Sequence, residues 1–442
     1  MAQNPVLDIF KIRDLRNRIF FTVLMLVVFR LGAALPIPGI DVSALNDYYS
    51  GTGQTGEMGF KEYIDFFTGG AFSKFSIFML GIMPYISTSI IMQLLMMAFP
   101  KLKKISQEDG GRKKIQKYTR YGTVIICLIQ AYTLTHYADS VPKAVTMDKL
   151  QFSIIAIITV TTGTVFLMWI GEQITRRGIG NGISLIIFAG IVARLPRAAS
   201  SLIRELEPNG GNIHPISIFG IMIIFVVVVA LVIYEQQGQR KIPVHYAKRI
   251  VGRKVYAGQN TYIPFKINPS GVMPVIFASA ILTFPLQIAR QLGKKIEWLG
   301  VFADWFRWQG GPWVVAYALF IIGFAYFYTQ VSLNPIEIAK QIRENGGSIP
   351  GIRTENIEMY LTKILNRIVL PGSLFLAFIA IIPTIINKFF GFPYQAAILM
   401  GGTSLLIMVG VDLDTMSQIE GHLRMHHHDG LVRKGKISSR NL

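Results

Sequence analysis

One cysteine, Cys127, stands in 442 residues, so no intrachain disulfide can form. Acidic residues are scarce as well, 25 against 44 lysines and arginines, for a formal charge of +19. The chain contains no GxxxxGK(S/T) phosphate cradle, no HExxH zinc helix and no paired carboxylates in a plausible pocket. It therefore lacks the usual means of spending a nucleotide or cutting a bond, and an enzyme is not expected. His422, His426, His427 and His428 crowd the tail without a fourth organised ligand, so neither a metal nor a cofactor is expected.

What the chain has is apolar length. It is 51% hydrophobic and only 16% charged, and several runs approach the ~20 residues that cross a bilayer. These predict a polytopic membrane protein of about ten spans. They lie near residues 19–36, 76–98, 119–137, 152–171, 183–203, 214–234, 271–289, 313–332, 367–386 and 395–413. Basic residues crowd the start (Lys11, Arg13, Arg16, Arg18), the second loop (Lys101 to Arg120), the sixth (Arg240, Lys241, Lys248, Arg249, Arg253, Lys254), the eighth and the tail. The first and ninth loops carry very few, which puts both termini and the even loops in the cytoplasm. The seventh loop, with Arg290, Lys294, Lys295 and Arg307, is the weakest witness to that alternation. Arg16 and Arg18 before a run ending in Gly32, Ala33 and Ala34 resemble a cleaved leader, but the parity of the charges requires a retained first span. Ahead of it, Pro5 to Ile19 mixes apolar and charged residues, as a helix on the cytoplasmic membrane surface would.

Two phrases are written twice. Gly81-Ile-Met-Pro-Tyr-Ile86 reappears as Gly271-Val-Met-Pro-Val-Ile276, and Gly182-Ile-Ser-Leu-Ile-Ile187 as Gly402-Thr-Ser-Leu-Leu-Ile407. Each pair is five spans apart, and an odd offset means that the copies cross the membrane in opposite directions, an inverted repeat. The halves are expected at 1–207 and 208–421, joined near Glu205 to His214, with a cytoplasmic tail at 422–442.

Inverted repeats enclose a pathway. Ion-coupled transporters hold ionisable groups near the midplane. Here the second, third, fourth, seventh and ninth spans have no charge in their middles; Arg30 can snorkel as an anchor or serve a function, and Asp412 and Asp414 sit at the end of the tenth span. The matched residues are isoleucines: Ile86 with Ile276, and Ile187 with Ile407. Apolar side chains facing a passage would stop water by dewetting and yield to a larger object, although any one of them could equally face lipid or a neighbouring helix. Asp65 to Phe75 is too short and punctuated to cross; it is either a re-entrant piece closing the passage or a short interfacial helix. Arg240 to Phe265 alternates apolar and polar around Val251, Gly252 and Arg253, a basic β-hairpin. Its charge suits RNA phosphates or an acidic partner, or only enforces topology. A protein-conducting channel, a small-solute secondary transporter and a membrane enzyme are the classes in play. The hairpin has no job in a transporter, and the enzyme lacks a constellation.

The stretches GIMPYISTSIIMQLL, GRKKIQKYTRYGT, FLMWIGEQITRRGIGNGISLIIFAGIVA, QRKIPVHYAKR, GVMPVIFAS, IPGIR and GGTSLLI resemble the SecY family, channel-forming subunits of the bacterial protein translocon. The resemblance covers essentially the whole chain. It implies an all-α, ten-span hourglass channel of the general secretory pathway in the bacterial inner membrane. On the matching positions, the apolar ring would be Ile82, Ile86, Ile187, Ile191, Ile276 and Ile407. The plug would be roughly Asp65 to Phe75, with Phe66, Phe67, Thr68, Gly69, Gly70, Ala71, Phe72 and Ser73 at its heart. A lateral gate would lie between the second and seventh spans, with Ser87, Gln93 and Phe284 at its seam. Ser87, Thr88 and Gln93 would hydrogen-bond across that seam, and signal sequences, nascent polypeptides and membrane lipid would meet there. Arg240, Lys248, Arg249, Arg253, Lys254 and, in IPGIR, Arg353 would meet the SecA motor and the ribosome from cytoplasmic loops at about 235–268 and 334–366. SecE and SecG would accompany the chain. Thr354, Glu355 and Asn356 stand where the family has a Pro-Gly turn, so the shape of that loop tip is left open.

Overall fold

A computed structural model of the chain describes residues 12–45, 65, 67–108, 110–139, 141, 144–196, 200, 215–246, 249–251, 254–256, 260–293, 296–306, 310–390 and 402–433. Helices lie at the place of every expected span: α1 (Arg13–Ala34), α2 (Met83–Ala98), α4 (Gly111–Asp139), α5 (Lys149–Arg177), α6 (Gly182–Val192), α7 (Pro215–Gln237), α8 (Met273–Gly293), α10 (Gly311–Ser332), α12 (Ile357–Phe390) and α13 (Gly402–Arg433). Three shorter helices stand between them: α3 (Pro100–Gln107), α9 (Glu297–Trp305) and α11 (Pro335–Glu344). By length and hydropathy alone Arg13–Ala34, Lys149–Arg177, Gly311–Glu344 and Thr354–Ile386 can cross a bilayer. The chain bends by 104° between α2 and α3, where Pro100 disfavours helical geometry at Phe99. Large apolar side chains point outward, among them Phe20 and Leu31 on α1, Phe219 and Val226 on α7, and Val315 and Leu319 on α10. Apolar area of that extent on an outer face is solvated by lipid.

The chain forms two compact units, Met1–Ala198 with Val411–Leu442, and Ala199–Gly410. In the first, a core of Ile37, Leu45, Phe72, Phe75 and Met79 packs on Cys127, Ala131 and Leu134 of α4 and on Phe152, Ala156 and Val160 of α5. In the second, Val228 and Val232 of α7, Val275 and Ala278 of α8, Tyr317 and Ile321 of α10 and Leu376 and Ile379 of α12 make one core.

A separate core of the second unit lies under the loops that follow α7 and α10. Strand β1 (Gln239–Tyr246) runs antiparallel to β4 (Asn260–Lys266), from Gln239 opposite Lys266 to His245 opposite Asn260. Beyond them β2 (Arg249–Val251) pairs antiparallel with β3 (Lys254–Tyr256), so the described strands continue the expected hairpin. Ile242, Val244 and Phe265 face inward onto Ala339 and Ile342 of α11 and Ile357 and Leu361 of α12. The alternating pattern in sequence is this one-sided burial. A third strand, β5 (Gly347–Ser348), adds to β1 at His245 and Tyr246 and ties the two loops into one platform.

Several boundaries differ from the reading of the sequence: α12 begins at Ile357, ahead of the expected 367, and α13 runs on to Arg433, past the expected 413. The second span was expected from residue 76, but α2 begins at Met83, and Ala71 to Ile82 is a chain of turns. Pro84 at the helix start cannot donate a backbone hydrogen bond, which suits it to the first turn and not to a helix interior. Gly81 at φ +56° and Phe75 at φ +45° break any helix upstream.

Candidate functional site

The repeated phrases build the same backbone twice. Gly81 and Gly271 both take left-handed φ, +56° and +59°, two residues ahead of a helix that opens on Met-Pro. Their amides donate to Phe78 and Asn268 respectively, each three residues back. In the second echo, a Cβ on Gly182 would sit 2.0 Å from the Gly171 carbonyl oxygen, and one on Gly402 would sit 1.6 Å from that of Ile379. Only glycine lets α6 start against α5 and α13 start against α12 in this way. The isoleucines carried by these helix starts, Ile82, Ile86, Ile187, Ile191, Ile276 and Ile407, are all buried. Ile82, Ile86, Ile187 and Ile191 belong to the first unit, Ile276 and Ile407 to the second.

The FLMWIGEQIT and GIGNGIS stretches of the sequence have a local physical purpose. Glu172 accepts from Arg120 through both nitrogens of a fork, Nε at 2.8 Å, and from Gln116 Nε2 at 3.3 Å, which binds α5 to α4. Thr175 Oγ1 accepts from the Gly182 amide at 2.9 Å, and the Asn181 side chain caps α6 by accepting from Ile183 N at 3.1 Å.

The segment expected to close the passage is folded inside the first unit, not along its surface. Asp65, Phe67, Thr68, Ala71, Phe72 and Phe75 are buried. Ser73 donates its amide to Asp65 Oδ1 at 2.9 Å and its hydroxyl to Asp65 Oδ2 at 2.6 Å. Arg194, past the end of α6, reaches Asp65 Oδ2 at 3.5 Å, with side-chain exposures of 13% and 6% for the pair. Arg30 of α1 donates to the Gly69 carbonyl at 3.0 Å. Gly69 (φ +67°) meets Gly190 of α6 so closely that a Cβ on it would lie 2.7 Å from the Gly190 Cα. Downstream the segment is fixed by Ile37 N to Phe75 O at 2.8 Å and Ile77 N to Leu35 O at 3.0 Å. Phe66 lies outside the described residues.

At the expected seam, Ser87 and Gln93 are half-buried on α2, and Gln93 Nε2 reaches Ser89 Oγ at 3.5 Å. Among the described residues Gln93 Oε1 has no hydrogen-bond partner. Thr88 is buried, donates to the Pro84 carbonyl of its own helix at 2.7 Å, and packs where Gly122 of α4 leaves room. Phe284 lies on α8; its side chain is outside what the structure describes.

Of the basic residues, Arg240 is exposed at the base of the hairpin, beside Lys241 stacked on Tyr262 at 4.8 Å. Lys248 and Arg253 lie outside the described residues, as do the side chains of Arg249 and Lys254. Arg353 is exposed, and its carbonyl accepts from Asn356 N at 2.9 Å. Thr354, Glu355 and Asn356 form a single 3-10 turn that runs directly into α12, so the loop tip closes without a Pro-Gly pair. Arg194 and Glu172, which sequence reasoning left without a role, and Arg120, read only as a basic residue of the second loop, prove to be structural ties. Among the described residues no group of three metal-binding side chains is found; the side chains of His426, His427 and His428 lie outside them.

The SecY family model matches residues 76–416. The protein translocase subunit SecY of Borreliella burgdorferi is 46% identical over 418 residues, 95% of each chain. Two solved structures share the fold: "The structure of a protein conducting channel", with TM-score 0.60 and 20% identity over 91% of each chain, and "Sec61 in the Canine ribosome-channel complex from the endoplasmic reticulum", with TM-score 0.56 and 19% identity over 91% of each. With its repeated Gly-x-Met-Pro helix starts and a relative this similar over nearly its full length, the chain belongs to the SecY family and is a multi-pass membrane protein.

Proposed function

We propose that this chain is the central protein-conducting channel of the general secretory pathway, passing unfolded polypeptides across the bacterial inner membrane and releasing transmembrane segments sideways into lipid. The observation that carries the reading is the twinned helix start, which presents buried isoleucines and no carboxylate at symmetry-matched positions of both repeats. A solute transporter would need polar or ionisable contacts there, and membership of the SecY family leaves that reading without support.

Ile82, Ile86, Ile187, Ile191, Ile276 and Ile407 form the constriction, which seals by dewetting. The halves at 1–207 and 208–421 are the inverted repeats around it, with both termini cytoplasmic. Residues 65–71 are the movable part of the plug, because Phe72, Phe75 and Met79 are already committed to the core with α4 and α5. Asp65, Arg194 and Arg30 hold that part seated. The gate is the seam of α2 with α8, at Ser87, Gln93 and Phe284, where polar Ser87 and Gln93 can exchange their contacts for those of an entering signal sequence. The hairpin platform with Arg240, Lys248, Arg249, Arg253 and Lys254, and Arg353 on the adjoining loop, receives the ribosome and the SecA motor, and SecE and SecG complete the assembly. The tail, 422–442, is cytoplasmic.

The test is a stalled nascent polypeptide presented to the reconstituted assembly with a photoreactive group at Ile86 or Ile276. Crosslinks at both, and weak ones at the exposed Leu94 of α2, are expected. Crosslinks at Leu94 alone would overturn the reading.

A further inference from the structure

The four basic residues of the seventh loop, which spoil the charge alternation, flank a helix with an unusual face. On α9, Trp298, Val301, Phe302 and Trp305 recur at i, i+3, i+4 and i+7, one stripe of a helix. Trp298 is 69% exposed, Val301 65% and Trp305 64%. The opposite side is spent on protein. Ala303 is buried, a Cβ on Gly293 at the end of α8 would lie 2.8 Å from the Gly300 Cα, and Phe306 packs into the core of the second unit. The carboxylates, Glu297 and Asp304, are exposed beside the stripe and not within it.

We propose that α9 is a membrane-interface anchor, its aromatic stripe seated among the headgroups and upper acyl chains of the leaflet that α8 reaches at Gly293. Two observations select lipid as the occupant. The helix is joined to a span on each side by five residues or fewer, 294–296 before it and 306–310 after it, so it cannot leave the bilayer surface. Its flanks carry Arg290, Lys294, Lys295 and Arg307, which complement phosphate, while tryptophan prefers the boundary where one end of the ring is apolar and the other wet. The Gly293–Gly300 contact then transmits the anchoring to α8. The inference rests on the multi-pass reading, and not on the positions of the plug or the gate.

The test uses the full chain with Cys127→Ala, reconstituted with and without phosphatidylglycerol in phosphatidylcholine vesicles. A fluorophore is placed on Val301→Cys in one sample and on Asp304→Cys in another. A nitroxide near the headgroup should remove about half or more of the Val301 label's fluorescence and much less of the Asp304 label's, with aqueous iodide showing the reverse order. Phosphatidylglycerol should deepen the nitroxide effect, and Lys294→Gln with Lys295→Gln should cancel that deepening. Equal iodide quenching of both labels overturns the proposal, since the stripe then faces water. A Val301 label shielded from both quenchers also overturns it, and if tenfold dilution in lipid then restores quenching, a second copy was the cover. A label at the buried ends of the other spans, shielded from iodide throughout, shows separately that the chain is inserted.

Discussion

Neutralising Arg194 should unseat the plug without unfolding the chain. In Arg194→Gln the cation that reaches Asp65 Oδ2 at 3.5 Å is lost from a pair exposed by only 13% and 6%. The gross attraction at that distance is ~5 kcal/mol for an effective dielectric of about 20. Desolvation already offsets much of it, and Asp65 keeps the amide and hydroxyl of Ser73 as donors. A net loss of ~2 kcal/mol is what a charge-assisted contact of this kind usually contributes, which is about a 30-fold shift toward the unseated plug. Asp65→Asn should cost at least as much, since it removes the attraction and leaves one acceptor oxygen where Ser73 uses two. The double substitution should cost less than the sum of the two, because both variants remove the same ion pair. The measurement is ion leakage through the purified assembly in planar bilayers, with thermal retention of the monodisperse detergent peak as a check on folding. Additive single effects would show that the two residues act apart, and unchanged leakage in all three variants would refute a charge-held plug.

Ile407→Asn should hydrate the constriction, raise leakage and admit poorly apolar signal sequences; normal leakage and normal signal selectivity would count against the apolar ring. Gly81→Ala and Gly271→Ala should each cost ~1–2 kcal/mol for a side chain at left-handed φ. Gly81→Ala should cost more, since its Cβ would also meet Thr68 Cγ2 at 3.0 Å whereas Gly271 has nothing within 4 Å; denaturant midpoints of the two variants would be compared. Asp41 caps the short turn after α1 by accepting from the Ser43 hydroxyl and amide and from the Ala44 amide, which hold its carboxyl below the usual carboxylate range. A lowered folded value means that the cap contributes fully above about pH 4, the unfolded range, and is lost as pH falls through the folded one. The Ser43 and Ala44 amide signals should therefore titrate together below pH ~4, and Asp41→Asn should abolish that titration.

The elements that could be read from sequence are those whose pattern is local. The spans follow from apolar length, and the hairpin from alternation between Arg240 and Phe265 that became burial of Ile242, Val244 and Phe265 against α11 and α12. Strand β5 was not legible, because two residues carry no period. Nor was the late start of α2. Residues 76–82 have the hydropathy of a membrane helix, and their turned backbone depends on Gly81, Phe75 and the bridge of Pro36 to Ser76. Arg194 and Asp65 are separated by more than a hundred residues, and each looks in isolation like a charge at the end of a span. Arg30 offered two readings, anchor or function, and its bond to the Gly69 carbonyl ties it to the buried segment ahead of α2.

The repeats sharpen what was inherited twice. Gly182 against the Gly171 carbonyl and Gly402 against the Ile379 carbonyl are the same fit of a helix start onto the preceding span. Gly190 meets backbone atoms of Phe67 and Gly69, whereas Gly410 meets only the side chain of Val272, so the fit that recurs is that of the helix start. Backbone fit is therefore the repeated quantity, and side chains are free to diverge upon it. They diverge where the first copy has Thr68 packed on Gly81 and the second copy leaves Gly271 open. Filling the space over a single glycine sets the first repeat apart from the second while the helix start of both stays the same.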